Sequence, residues 1–444
     1  MSPLACLARA QGYLVSGSDS SPGPHTKALT GLGITVFSGQ SKDNLSPGST
    51  VVYSSAIRKD NPERLEAESS GYTLIHRSDL LARFMSQKNS VAIGGTHGKT
   101  TSTCLTGWLL HQTGHQPSMI AGSALADTQK SYLTGTGADL IVEADESDGT
   151  FLKYRPEIAV ITNIDKDHMD FYKHWDGILD AFNRFAQNAS GLVIGTDQAH
   201  CQKTYKDFKG KKISFGLSDH CDFRASQISS EEGYTQFLLH TPDQTEPQWI
   251  RLKLVGEHNV LNSLAALSVL SMKGIDVNRA AAYLQNFPGI NRRLSVLFDD
   301  SKLTILDDYA HNPGKIKACL QAVRSSWAQA KFIVLFQPHR HSRLDTMLDE
   351  FSQAFSDADL VWVLPVYKAG EPDNPLHTPQ WLAKKISDHS GVVATPYPGQ
   401  DAVLSIPDQT SSQKTVILTT GAGDITGLAR SLSRELKQSG DAST

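Results

Sequence analysis

The stretch Gly94-Gly95-Thr96-His97-Gly98-Lys99-Thr100-Thr101 constrains this chain more than any other. It follows the apolar run Val91-Ala92-Ile93 and opens a segment, Thr100 to Gly114, with Leu105, Trp108 and Leu109 on one face, so it reads as strand, glycine turn, helix. Such a turn is a phosphate cradle. Its glycines let successive backbone N–H groups face one anion, the helix N-terminus adds its positive dipole end, Lys99 can reach outer phosphates and Thr100 can offer a hydroxyl to Mg²⁺. The spacing departs from the full G-x-x-x-x-G-K-[ST] pattern, because Ile93 stands five places before Gly98 and only G-x-x-G-K-T remains.

Two later runs carry the acids that such a cradle needs. Ala138-Asp139-Leu140-Ile141-Val142 empties into Glu143-Ala144-Asp145-Glu146-Ser147-Asp148, and Ile158-Ala159-Val160-Ile161 leads through Thr162-Asn163-Ile164 into Asp165-Lys166-Asp167-His168-Met169-Asp170. Carboxylates at the C-terminal ends of parallel strands lie where open α/β sheets bind ligands, so one or two should face a Mg²⁺ beside the phosphate loop. Farther on, Asn259 and Asn262 stand three apart ahead of Leu264, Leu267 and Leu270; they could present two amides to one flat ligand, or Asn259 could cap the helix. Residues 222–254 alternate in short stretches and predict a small antiparallel patch.

The ends of the chain read as two further α/β units. Residues 1–89 begin in helix-like sequence, followed by the strand-like runs Tyr13 to Asp19 and Thr50 to Ile57, the back half of a dinucleotide-type unit whose first strand and glycine loop are missing. There Asp19 can accept from a ribose hydroxyl or serve the turn Ser-Asp-Ser-Ser-Pro-Gly-Pro. From about Gly289 strands and helices alternate again: Leu303 to Leu306 ends in Asp307-Asp308-Tyr309-Ala310-His311, Asn312 caps a helix with Pro313 in its first turn, and Phe332 to Phe336 ends in Gln337-Pro338-His339-Arg340-His341-Ser342-Arg343. Two guanidiniums three apart at a strand end suit a carboxylate or a phosphate. The expected division is 1–89, 90–288 and 289–444, all α/β, with a frayed polar tail at 438–444.

Composition excludes several classes. A net charge of −4 over 444 residues and no basic cluster with interleaved aromatics argue against nucleic acid, and no apolar run approaches the ~18 residues of a membrane span. Five scattered cysteines, never in C-x-x-C spacing, fit a reducing cytoplasm; Cys104, just behind the phosphate loop, reads as a small buried residue.

Gly95-Thr96-His97-Gly98-Lys99-Thr100-Thr101, Glu143 to Asp148, Asp167-His168-Met169-Asp170, His258-Asn259-x-x-Asn262, Arg292-Arg293, Asp308-Tyr309-Ala310-His311-x-Pro313, Phe336 to Arg340 and Thr420-Gly421-Ala422-Gly423-Asp424 together resemble the bacterial Mur ligase family, in the family's order and over nearly the whole chain. The resemblance implies three domains: a truncated Rossmann-like one for a UDP-sugar, a central P-loop-type one for ATP and a C-terminal Rossmann-like one for an amino acid. It implies that Lys99 and Thr100 hold ATP phosphates and Mg²⁺, that Glu143 and His168 belong to the metal shell, that Asn259 and Asn262 hold adenine, that Arg293 contacts phosphate and Asp308 the ribose. His311, Arg340 and Arg343 would bind the amino acid and place its amine, and Asp19, Ser54 and Ser55 would touch the UDP-sugar. The implied reaction joins an amino acid, L-alanine by the branch Tyr367-x-Ala369-Gly370-Glu371 favours, to the lactyl carboxylate of UDP-N-acetylmuramate through an acyl phosphate, in the cytoplasm, by a monomer or homodimer.

Three departures from the family pattern stand out. The glycine-rich loop expected before the first helix is missing. The region where several relatives carry a carbamoylated lysine reads Ala181-Phe182-Asn183-Arg184-Phe185, and Asp373-Asn374-Pro375 is followed by Leu376 where a diaminopimelate-adding sister has arginine, so the triplet reads as a turn. The rival readings are a ligase that attaches a ready-made tripeptide to the same sugar, a nucleotide-binding protein without ligase activity and, more remotely, a P-loop kinase.

Overall fold

The computed structural model describes residues 1–406 and 413–441. Residues 1–89 open with the helix Ser2–Ala10 and hold two parallel strand pairs, β1 (Ser16–Asp19) with β2 (Thr35–Ser38) and β3 (Thr50–Tyr53) with β4 (Thr73–His76), each joined by a crossover helix. The strands are shorter than their apolar runs suggest. Tyr13 N still donates to Ala8 O at the helix exit, and Ile57 N donates to Ser54 O in a turn, so Tyr13–Val15 and Ser54–Ile57 are taken out of the ladders.

The centre is a ten-stranded sheet. In chain order its strands are β5 (Asn89–Gly94), β6 (Ser118–Ile120), β7 (Tyr132–Leu133), β8 (Asp139–Glu143), β9 (Ile158–Ile161), β10 (Gly191–Gly195), β11 (Lys211–Gly216), β12 (Phe223–Glu231), β13 (Tyr234–His240) and β14 (Gln248–Leu252); in space they run β14-β13-β12-β11-β10-β9-β5-β8-β6-β7. The pairs from β12 through β6 are parallel, and the expected antiparallel patch is the outer edge β12-β13-β14.

Alternation along the inner strands builds two cores. Val91, Ile93 and Ile141 face the helices Lys99–Gln112 and Glu257–Met272, with Leu105, Leu109, Leu264 and Leu267. Ala92, Leu140 and Val142 face Phe182 and Phe185 of the helix Trp175–Gln187. The second core also takes in Leu4, Leu7, Phe84 and Met85, so residues 1–89 share packing with the central sheet. Phe182 and Phe185 therefore commit the stretch 181–185 to core packing.

The last sheet runs β15-β16-β20-β17-β18-β19, built from β15 (Ser295–Asp299), β16 (Leu303–Asp308), β17 (Lys331–Phe336), β18 (Leu360–Val363), β19 (Val393–Pro396) and β20 (Thr415–Thr420); only the β15–β16 pair is antiparallel. Because β20 inserts between β16 and β17, the three loops leaving their C-terminal ends adjoin, the crevice where open α/β sheets take ligands. The helix Ile425–Asp441 carries through 438–441, and the rest of the expected frayed tail, 442–444, lies outside the described residues. Among the described residues no helix is long and apolar enough to cross a membrane.

Candidate active site

β5 ends in the glycine turn, and two of its glycines cannot be replaced without collision. Gly95 has φ +133° and a Cβ there would lie 2.0 Å from Thr162 Oγ1; Gly98 has φ +83° and a Cβ there would lie 2.1 Å from Asn262 Oδ1. The loop is braced from β9, with Thr96 N donating to Asn163 O (3.0 Å) and His97 N to Asn163 Oδ1 (2.9 Å). Lys99 begins the helix Lys99–Gln112, and its ammonium donates to Gly95 O (2.7 Å) and to Glu146 Oε1 (2.8 Å).

The acid clusters supply two distinct contacts. Thr100 Oγ1 donates to Glu143 Oε1 at 3.0 Å, while Glu143 Oε2 accepts from Gly122 N at 2.6 Å. Glu146 is only 1% exposed, and its neighbour His168, held at φ +54°, brings Nε2 to 3.6 Å from Glu146 Oε1. Burial pushes both carboxyls above the usual range, and the Lys99 charge pulls each part of the way back. The second oxygen of Glu146, Oε2, also lies 2.8 Å from the Lys99 ammonium, so both oxygens of the buried carboxylate face that one charge. Thus the structure brings Thr100 to Glu143 as the sequence suggests, but sets His168 beside Glu146, a residue the sequence reading leaves without a role. Among the described residues no three His, Cys, Asp or Glu side chains converge as a metal cage. One hydroxyl and one or two carboxylates beside a phosphate loop do fit Mg²⁺, which takes few protein ligands and completes its shell with phosphate oxygens and water.

The crevice of the last sheet faces these groups. Asp308, at the end of β16, spends both oxygens on backbone, accepting from Leu294 N (2.9 Å) and Ala310 N (2.7 Å); burial pushes its carboxyl up. The charge of Arg293 lowers both the Glu143 and the Asp308 carboxyl against the effect of burial. Lys315, in the first turn of the helix Pro313–Ser326, joins the site without a signal in the sequence, where one lysine at a helix start looks solvated. Burial pushes its ammonium down, and the charges around it are Asp167, Arg293, Lys99 and Glu146.

His311 Nδ1 lies 2.8 Å from Tyr309 O, which fixes the proton on Nδ1 and leaves Nε2 an acceptor. Burial, with the charges of Arg343 and Lys315, pushes His311 down to about 4. Arg343 Nη1 reaches His339 Nδ1 at 3.3 Å, and Arg340 has φ +68°. These residues gather at the ends of β16 and β17.

The remaining candidates are placed differently. Asn259 is the third residue of the helix Glu257–Met272, so it is not the cap; Gly256 is. The two amides bind each other at 3.1 Å, Asn259 also donates to Val255 O and Asn262 accepts from Ser102 Oγ, so both are engaged behind the phosphate loop. Asp19 accepts from Ser21 N at 2.8 Å, the turn geometry. Ser55 Oγ lies 3.1 Å from His76 Nε2 and donates to Asp148 Oδ2 at 3.2 Å, a bridge from the first unit to the acid loop, with Ser54 half-buried beside it. All five cysteines are buried and free.

Three family models match the chain: Mur ligase family, catalytic domain, over residues 1–89; Mur ligase middle domain over 93–270; and Mur ligase, glutamate ligase domain, over 292–423. The UDP-N-acetylmuramate–L-alanine ligase of Parvibaculum lavamentivorans is 37% identical, covering 99% of this chain and 91% of its own. That of Desulforapulum autotrophicum is 36% identical, covering 97% and 95%. Among solved structures, UDP-N-acetylmuramate-alanine ligase from Thermotoga maritima superposes with a TM-score of 0.81 at 27% identity, covering 100% of this chain and 97% of that one. A murein peptide ligase from Psychrobacter arcticus gives 0.67 at 23% identity over 98% and 96%, a likeness of fold alone.

Proposed function

The chain belongs to the Mur ligase family, and from that premise we infer that it is an ATP-dependent ligase joining L-alanine to the lactyl carboxylate of UDP-N-acetylmuramate, a step of peptidoglycan precursor synthesis. The observation that carries this reading is the 37% identity to a ligase of that name along nearly the full length of both chains.

A carboxylate is a poor electrophile, so it must be activated before an amine can displace anything from it. The lactyl carboxylate attacks the γ-phosphorus of ATP, ADP leaves, and an acyl phosphate remains. Lys99 exchanges its contacts with Gly95 O and Glu146 for phosphate oxygens and spreads the charge of transfer. Mg²⁺, held by Thr100 and Glu143 with His168 nearby, would supply electrostatic stabilisation of the phosphates. Arg293 adds a second cation for phosphate, and Asp308, Asn259 and Asn262 flank the place of the nucleoside.

The amino acid enters from the crevice of the last sheet. Arg340 and Arg343 take its carboxylate, and the unprotonated Nε2 of His311 receives a proton from its amine. The amine attacks the acyl carbonyl, a tetrahedral intermediate forms, and phosphate leaves as the amide closes. Ser54, Ser55 and Asp19 fall to the UDP-sugar, in a division of labour at 1–89, 90–288 and 289–444, and the setting for such nucleotide-sugar chemistry is the cytoplasm.

Phosphate release from ATP and Mg²⁺ tests the reading directly. Release should require both UDP-N-acetylmuramate and L-alanine. Release with the tripeptide and not with L-alanine would move the chain to the tripeptide-adding ligase, and none with any amine would overturn ligase activity.

A further inference from the structure

The two arginines that take the amino acid stand on weak ground. The helix His341–Thr346 is one and a half turns long, has no side-chain cap, and is entered through Arg340 in a left-handed conformation at φ +68°. A helix so short does not hold itself. Leu344, 1% exposed, seats its inner face on the core, and the segment 367–378 ties down its polar side. Arg340 N donates to Tyr367 O (2.9 Å), and Glu371 accepts from Ser342 N (3.1 Å) and Ser342 Oγ (2.5 Å).

A third clamp lies beneath. His341 and His377 are 6% and 9% exposed, and their Nδ1 atoms are 3.0 Å apart, so one must donate and the other accept. The partners decide which. His377 Nε2 lies 2.9 Å from Asp345 Oδ1, an acceptor only, and 3.3 Å from Asn374 Nδ2; the shorter contact, to a carboxylate, sets the proton of His377 on Nε2, and its Nδ1 accepts from Nδ1–H of His341. That leaves His341 Nε2 buried without a hydrogen bond, 3.5 Å from Asp373 Oδ1, while Asp373 is tied to Lys368 at 2.8 Å. The His377 ring is fixed from behind by stacking on Trp381, centroids 5.0 Å apart. His377 thus joins two points of the short helix, His341 and Asp345, to the turn after Asp373-Asn374-Pro375.

We propose that His377 is a positioning residue for the amino-acid substrate: through its bonds to His341 and Asp345 it holds the helix that carries Arg343 and follows Arg340. The proposal rests on the reading that these arginines bind the amino acid's carboxylate. It assigns a task to the turn at 373–377, which sequence alone reads as a plain connection.

The test is the full set of Michaelis constants for His377→Ala, His377→Gln, Asp345→Ala and Arg343→Ala. His377→Ala should raise KM for L-alanine about tenfold or more, with KM for ATP and for UDP-N-acetylmuramate changed less than twofold. His377→Gln, whose amide can donate and accept across a similar span, should recover most of the loss. Asp345 is exposed, so Asp345→Ala keeps the fold, and it should raise the same KM several-fold even if His377→Ala does not fold. An unchanged L-alanine KM in both Asp345→Ala and whichever His377 variant folds, or an equal rise in all three constants, overturns the positioning role. Arg343→Ala separates the two claims: if it too leaves the L-alanine KM unchanged, the arginine reading itself has failed.

Discussion

Lys99 Nζ sits 2.8 Å from Oε1 of Glu146, whose carboxyl is 1% exposed, so the phosphate-loop lysine is also the counter-charge of a buried acid. The loop motif alone predicts that Lys99→Ala lowers turnover by orders of magnitude with an unchanged melting temperature. The ion pair changes the second half of that expectation. Removing one partner of a buried pair costs about 3 kcal/mol, because the other charge is left without compensation.

The pH dependence of that loss identifies its cause. Burial already raises the Glu146 carboxyl above its ordinary value of 4.5, and without Lys99 it rises further. A carboxyl raised in the fold costs stability only where the unfolded chain would be ionised, so the deficit of Lys99→Ala is largest at neutral and alkaline pH and shrinks as pH falls toward 4.5. Melting curves at several pH values check this. Adding Glu146→Gln should restore the melting temperature without restoring turnover, and a deficit independent of pH would exclude the buried charge as its source.

Thr100 Oγ1 and Glu143 Oε1, 3.0 Å apart, form the pair read here as the Mg²⁺ ligands. Thr100→Val keeps the shape and removes the hydroxyl, and should raise the Mg²⁺ concentration for half-maximal phosphate release about tenfold, the loss of roughly 1.4 kcal/mol of binding. Thr100→Ser should stay near the parent. An unaltered Mg²⁺ requirement in Thr100→Val would remove the threonine from the metal shell.

How much of this was legible depends on whether a feature is local. The phosphate loop is, because backbone N–H groups that share one anion must be consecutive. The two acid clusters were legible as clusters, but not which carboxylate turns inward. Asp145 is exposed and accepts from Ser147 N in a local turn, whereas the next side chain, Glu146, goes under the loop, a choice made by the backbone between them. The edge strands β7, β15 and β19 leave no signal in the sequence, since they are short and half-exposed. Asn259 could be read as a cap because the true cap, Gly256 at φ +94°, stands three residues before it and carries no side chain to signal a helix start. His341 and His377 are thirty-six residues apart, and only the packed fold brings them together.

Arg343 is half-buried beside His339 and carries a charge that His311 feels. If it binds the amino acid's carboxylate, Arg343→Ala loses a charged hydrogen bond worth about 1.5–3 kcal/mol, a rise in L-alanine KM of roughly 10- to 100-fold with kcat less affected. Initial-rate kinetics with each substrate varied in turn give the answer. A change confined to ATP would reassign the guanidinium to phosphate.

His311 gives the last prediction. Burial first, then the nearby cations, push it down to about 4, so it is neutral at physiological pH with a free acceptor at Nε2. The rate should therefore show no acid limb near the ordinary histidine value of 6.5 from this residue. His311→Asn should lower kcat about 10²- to 10⁴-fold, the usual worth of a positioned proton acceptor. The same shift has a stability signature with the opposite sense to that of Glu146. A histidine depressed in the fold contributes stability that is complete above 6.5 and is lost as pH falls from there toward 4, since the unfolded chain takes up the proton first. Over that window the His311→Asn protein should lose less melting temperature than the parent. Parallel melting curves for the two proteins would mean that the imidazole is not held neutral by the fold.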